Sequence, residues 1–472
     1  TQEAVRPMRM TKILILLMGL LILAACGGAP AAAPTGEAEA PAAEEAAAEM
    51  ESDSSPNQAP MLREMVDAGE LPPLEERLPV NPMVVASGPD GIGQYGGEWR
   101  GGTAERNGNF HIRNGGYQQL LRWTPTWDGI EPNLAESVET NEDSTEFTFK
   151  LREGIKYSDG SPFNADDIMF WYEDVLLNED LTPAVPSNFM AGDEPVVVEK
   201  IDDYTVKFSF AKPHGLFLKL ITQTNGEVAT QYPREYLEQF HADYNEEAGA
   251  LAEEEGYATW TELFLAKAQH HQNAELPVLR PWVMQQSMGE ATNNRIVSER
   301  NPYFWKVDEE GNQLPYLDRY VIELTNDTEV LVLKALNGEL DFQERFISAP
   351  TNKAVLFDNK EQGQYDFYSL TPTTVNEMII QLNMTHPDPV KREIYSNKDF
   401  RIGLSHAIDR QQIIDVVHVG QGEAWQASPR PESRFHHEQL AKQYTEYDVD
   451  LANEYLDKTG SVSYTHLRAH ET

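Results

Sequence analysis

An α/β fold of at least two lobes is predicted by three observations on the 472-residue sequence. Strand-like alternation and helix-like apolar spacing take turns along the chain, the pattern of sheets covered by helices. Roughly 400 residues lie between compositionally biased ends, more than one hydrophobic core ordinarily serves. Hydrophobic residues at 40% and aromatics at 10% supply the apolar surface those cores need.

The first element is a leader. Ile13 to Leu23 is an apolar run behind Arg6, Arg9 and Lys12. A bilayer span takes about 20 apolar residues, so this shorter run predicts an export signal over residues 1–25. "LAAC" closes it with small residues before Cys26, the sole cysteine, and resembles the lipobox of bacterial lipoproteins. Cys26 is therefore expected to carry acyl chains, of which two or more anchor a protein stably and one only marginally. Residues 26–60 contain no Lys or Arg and are dominated by Ala, Pro, Glu and Ser. Such a stretch buries too little apolar surface to offset its chain entropy, so a disordered acidic linker is expected. With one cysteine no intramolecular disulfide can form, and stability must come from packing.

"GPDGIGQYGGEWRGG" carries Gly91, Gly93 and Gly96 at dinucleotide-loop spacing. A phosphate loop needs a helix straight after its third glycine, and Gly97, Gly101 and Gly102 argue against one. "FTFKLREGIKYSDGSPFNADDIMFWYEDVL" is more informative. Phe147, Phe149 and Leu151 alternate with polar residues as in a half-buried strand. Asp159-Gly160 marks a turn. Asn164 caps a helix with Asp166 and Asp167 in its first turn, where the helix dipole favours negative charge. Ile168, Trp171, Val175 and Leu176 share one face of that helix.

"EPVVVEKIDDYTVKFSFAKP" predicts a hairpin turning at Asp202-Asp203. "DEEGN", between two strand-like runs, lacks the glycine and glutamate positions of a calcium loop and reads as a hairpin tip. "TNDTEVLVLKALNGELDF" reads strand, helix capped by Asp327, stop at Asn337-Gly338, strand. "NKDFRIGLSHAIDRQQIIDVVHVGQG" predicts two helices, the second stopped by Gly420. "VDLANEYLDKTG" predicts a last amphipathic helix ending at Gly460.

Charge narrows the functions. With 37 Lys and Arg against 77 Asp and Glu, the formal net charge is −40. That excludes a nucleic-acid partner, whose phosphates need cations, and disfavours anionic lipid surfaces. His270-His271 and His436-His437 are adjacent pairs whose side chains diverge on a helix, whereas zinc-binding pairs favour i, i+4 spacing. No metal, no cofactor and no catalytic residue is assigned: GxSxG, HExxH and P-loop patterns are absent. Abundant carboxylates leave a secreted glycosidase as the rival class, but abundance carries no geometry.

Five landmarks in fixed order, "FTFKLREGIKYSDGSPFNADDIMFWYEDVL", "ERNPYFW", "ALNGELDF", "DFRIGLSHAIDRQQIIDVVHVGQG" and "DLANEYLDKTG", carry a resemblance to the peptide/nickel-type extracellular solute-binding proteins of ABC importers, oligopeptide- and dipeptide-binding branch. The resemblance covers roughly Gly96 to Gly460. It implies a two-lobed periplasmic-binding-protein-like fold of type II, with lobe one over residues 61–342 including an inserted subdomain at about 110–235, and partial lobe two over 343–460. It further implies a monomer held to the bacterial membrane only by its lipid, facing periplasm or exterior, that captures a small solute, a peptide first of all, and hands it to ABC permease subunits. Oligosaccharides are the alternative solutes. The family's ligand-facing loop precedes a helix starting near "YQQLLRW", so Arg113, Asn114, Gly115 and Tyr117 are the implied ligand residues, with a plain turn as the other reading of Asn114 to Gly116. Trp123 and Trp127 either stack on a ligand or serve the core, the commoner role of tryptophan. Val462 to Thr472 resemble a translated sequencing-adapter, which makes 461–472 a non-native tail and the fold incomplete at its C-terminus.

Overall fold

Alternation along the chain sets the strands, and their apolar faces choose their partners. The computed structural model describes residues 56–105, 113–287, 294–369 and 376–460. The leader, Cys26, most of the acidic linker and the tail lie outside the described residues. In chain order the strands are β1 (Met83–Val84), β2 (Glu98–Thr103), β3 (Leu121–Trp123), β4 (Ile130–Pro132), β5 (Ala135–Thr140), β6 (Glu146–Leu151) and β7 (Met190–Ala191). There follow β8 (Glu194–Pro195), β9 (Val197–Asp202), β10 (Thr205–Ser209), β11 (Trp282–Gln286), β12 (Arg295–Arg300), β13 (Lys306–Val307) and β14 (Arg319–Leu324).

Strands β5-β6-β10-β9 form an antiparallel sheet. Phe147 and Phe149 lie opposite Phe208 and Val206, and all four are at most 2% exposed. The expected hairpin at Asp202-Asp203 is β9-β10. Asn164 Oδ1 accepts the Asp166 amide at 2.7 Å while Asp167 Oδ2 accepts the Asn164 amide at 2.9 Å, a reciprocal cap that starts the helix Ala165–Phe170. The helix widens into a π-helical stretch, Trp171–Leu176, and Trp171 meets Phe189 at 4.9 Å between ring centres. Ile168, Trp171, Val175 and Leu176 are all buried in this core, as their spacing predicts.

A second sheet, β11-β12-β14-β2, is antiparallel except for the parallel β14-β2 pair, where Tyr320 lies opposite Trp99 and their rings stack at 4.2 Å. The glycine-rich run before β2 is a close-packed turn. A Cβ on Gly93 would lie 2.3 Å from the Tyr316 ring, so only glycine fits. At "DEEGN", Asp308 Oδ1 accepts the Glu310 and Asn312 amides, both at 2.9 Å, making the expected hairpin tip. The helix Thr328–Leu336 is capped by Asp327, which accepts the Glu329 amide at 2.8 Å.

One expectation here is corrected. "ELDF" is not a strand. Asp341 instead binds β2 at a single point: its amide donates to Arg100 O at 2.9 Å and its carboxylate accepts the Arg100 amide at 2.7 Å. Gln343 then pairs with both backbone groups of Gly102 through its side-chain amide, each at 2.9 Å. A side-chain amide thus satisfies the β2 edge where a strand was expected.

Gln58 and Ala59, at the end of the expected linker, are packed. Both are fully buried, and Gln58 meets the buried Arg77. Arg77 also donates to Pro72 O and Gln313 Oε1, each at 3.1 Å, and burial lowers its pKa to about 10. Farther on, the helices Lys398–His406 and Arg410–Val417 occur where predicted, and the Gly420 amide closes the second by donating to Ile414 O at 2.9 Å. The last helix, Val449–Lys458, crosses the first of these at Gly403, whose Cβ would stand 3.0 Å from Ala452 O.

Candidate functional site

The loop leading to "YQQLLRW" is held from below by two buried charges. Glu227, in the short helical turn Thr224–Ala229, accepts the Gln118 amide at 2.9 Å through Oε1 and receives Arg280 on Oε2. Arg280 also donates to Gly116 O at 3.0 Å, and its guanidinium lies 5.4 Å from the Tyr117 ring centre. The pair is 7% and 6% exposed in its side chains. Burial pushes the Glu227 carboxyl up, while Arg280 and the Gln118 amide hold it down. Thr230 Oγ1 donates to Gln118 O at 2.7 Å, and Asn301 Nδ2 steadies Arg280 O at 2.8 Å. A cavity of ≈ 20 Å³, about one water in size, lies against Gln118, Glu227 and Arg280.

These contacts sort the expected ligand residues. Arg113 is exposed, Asn114 and Tyr117 are half-buried, and Gly115 is buried. Gly116 has φ +88°, which a glycine adopts without strain. No helix starts at "YQQLLRW". The chain stays extended, with the Asn133 and Ala135 amides donating to Leu120 O at 3.2 and 2.9 Å, and enters β3, which pairs antiparallel with β4. The helix implied there by the family resemblance is absent. Leu120 and Leu121 are buried by contacts on both sides of an extended chain, and Gln118 to Leu120 find hydrogen bonds in other segments.

The core role for the tryptophans also needs correction. Trp127 is 64% exposed at φ 62°, in a turn where its amide donates to Thr124 O at 2.9 Å. Trp123 is half-buried, and the two rings lie nearly parallel at 5.9 Å. Each covers part of the other in place of a core.

A larger cavity, of ≈ 1180 Å³, lies within residues 376–444 and was missed by sequence reasoning. Its wall includes Met378, Ile379, Ile380, Arg401, Trp425 and Gln426. Residues 377–382 lie outside any strand or helix, and among the described residues none of their backbone groups pairs with another backbone group. The alternation in "NEMIIQLNM" was the available signal. None of the expected ligand residues lines this cavity. Among the described residues no His, Cys, Asp or Glu cluster could hold a metal, and no helix is long and apolar enough to cross a membrane.

The mixed α/β architecture agrees in fold with solved periplasmic binding proteins. The model of the bacterial extracellular solute-binding proteins, family 5, matches residues 129–464, and the chain belongs to that family. It is similar to the periplasmic alpha-galactoside-binding protein of Rhizobium meliloti (strain 1021), 29% identical over 438 residues, covering 85% of this chain and 59% of the relative. It is also similar to di/tripeptide-binding protein 1 of Pseudomonas aeruginosa (strain UCBPP-PA14), 24% identical, covering 74% of this chain and 59% of the relative. A solved oligopeptide-binding protein OppA matches with TM-score 0.67 and 38% identity, over 85% of this chain and 63% of its own. The periplasmic binding protein MelB from Agrobacterium fabrum C58, solved with stachyose, matches with TM-score 0.62 and 26% identity, over 85% of this chain and 61% of its own. The chain thus spans about three fifths of the length of the relatives it matches.

Proposed function

We propose that this protein captures an oligomeric solute outside the cytoplasm for an ABC importer, without chemical conversion. The observation that carries the reading is the family match over residues 129–464. An oligopeptide is the first solute, supported by the 38% identity with a solved oligopeptide-binding protein. An α-galactoside oligosaccharide is the second, supported by the alpha-galactoside-binding relative and the stachyose-bound structure. On this reading Arg113, Asn114 and Tyr117 face the solute, Trp123 stands nearby on β3, and Gly115 shapes the loop from within. Binding shifts a hinge between two lobes toward a closed form that the permease recognises. A micromolar affinity corresponds to about −8 kcal/mol.

Thermal shift of the full-length protein with trialanine, a pentapeptide, raffinose and stachyose tests the reading. A rise in melting temperature with one solute class, and recovery of that solute intact, supports capture. Hydrolysis of a bound saccharide would replace it with the glycosidase class.

Cys26 is proposed as the acylated anchor. In a bacterial host the wild type is expected in the membrane fraction and Cys26→Ser in the soluble fraction. Equal partition of the two would remove the anchor from the proposal.

A further inference from the structure

The predicted ligand loop accounts for Arg113 to Tyr117 but not for the buried charges beneath it. Glu227 and Arg280 come from segments 53 positions apart in sequence, yet both converge on residues 116–118. Glu227 holds the Gln118 amide and Arg280 holds Gly116 O, so the two peptide groups flanking Tyr117 are fixed by opposite ends of one ion pair. The same guanidinium lies against the Tyr117 ring, which fixes the side chain as well as the backbone. An isolated buried charge is costly, so each member of the pair needs the other, and the loop conformation is tied to both.

We infer that Glu227 and Arg280 are positioning residues: they hold residues 116–118, just after the helical end at Arg113-Asn114, in the shape that presents Tyr117 to solute. This rests on the reading of that loop as ligand-facing. Arginine is suited to the task because its planar fork donates to Glu227 and Gly116 at once. Lysine keeps the charge and loses the second arm. The Gln118 amide is the reporter, since its protection depends on the Glu227 carboxylate.

The test compares full-length wild type with Arg280→Lys, Glu227→Gln and Phe208→Leu. The last is a core change in β10, outside the loop contacts, and serves as a control for general destabilisation. Hydrogen exchange at Gln118 and affinity for trialanine and stachyose are read well below each melting temperature. Positioning predicts that exchange at Gln118 accelerates at least tenfold in Arg280→Lys and Glu227→Gln but not in Phe208→Leu, and that affinity for whichever probe binds falls about tenfold, ~1.4 kcal/mol. Unchanged exchange at Gln118, or an equal affinity loss in Phe208→Leu, would overturn it. Faster exchange with unchanged affinity would separate the two ideas: the pair then fixes the loop, but the loop does not meet solute, which sinks the ligand-facing reading and the positioning role with it. If neither probe binds the wild type, exchange alone still decides whether the pair holds the loop.

Discussion

Residues 83–324 and residues 376–460 are built from the same kinds of residue but finish their packing differently. In the first region one continuous core gathers Phe147, Phe149, Phe208 and Trp171 from sheet and helix, each at most 2% exposed. In the second, Met378, Ile379 and Ile380 are 54, 44 and 64% exposed, and the helix Pro389–Ser396 buries no residue. Local grammar is intact in both. Asp388 caps its helix through the Val390 amide at 2.9 Å much as Asn164 caps its own. The difference teaches that caps and periodicity make helices, whereas burial depends on what other chain is at hand.

The largest effect should come from the first core. Trp171→Ala is expected to cost about 3–5 kcal/mol in urea denaturation of the present chain, the range for deleting a large buried ring. Ile414→Ala, at a site 9% exposed in the second region, is expected near the lower end for its class, about 2 kcal/mol. Equal losses would erase the contrast.

A pH effect comes next. Asp167 caps its own helix start, accepts the Arg234 amide at 3.1 Å, and is raised to a pKa of about 6, chiefly by burial. A folded pKa above the unfolded one means the native state keeps a proton that the unfolded chain releases. Stability is therefore expected to fall by about 2–3 kcal/mol as pH rises from about 4 to about 6, then level off. Urea midpoints across that window should flatten in Asp167→Asn, and an unchanged slope would move the titration elsewhere.

Removing the cap with Asn164→Ala should cost about 1 kcal/mol by the same measurement. The smallest effect sharpens the comparison. Ile380→Ser in the present chain should change stability by less than about 0.5 kcal/mol, as exposed positions do. In a version as long as the relatives, amide exchange at residues 377–382 is expected to slow and the same substitution to cost about 2 kcal/mol or more. Equal exchange in both lengths would show that this segment needs no partner.

Much of the fold was legible because short-range patterns carry it. The Phe147-Phe149-Leu151 alternation, the Asn164 cap and the Asp327 cap each depend on neighbours within a few residues, and each occurs where expected. "ELDF" and "YQQLLRW" were misread because their hydrogen bonds go to distant segments: Asp341 to Arg100, Leu120 to Asn133 and Ala135. Trp127 looked like core on residue type alone, and only its left-handed turn explains why it is exposed. The candidate site divides the same way. Arg113, Asn114 and Tyr117 were named only through the family resemblance, and their part in binding is a proposal. Glu227 and Arg280 could not be named at all, since nothing near either residue marks it as a partner of residues 116–118.

The sequence by itself determined most of the strands and helices, most of the caps and turns, and the acidic charge. Those properties follow from alternation, capping chemistry and composition, all read over short distances. Tertiary structure alone decided which charges are buried together, which edge of β2 is closed by a side chain, and which apolar residues find cover. The reason is physical: an ion pair, an edge or a core is a relation between segments far apart in the chain, and its free energy exists only once folding has brought them together.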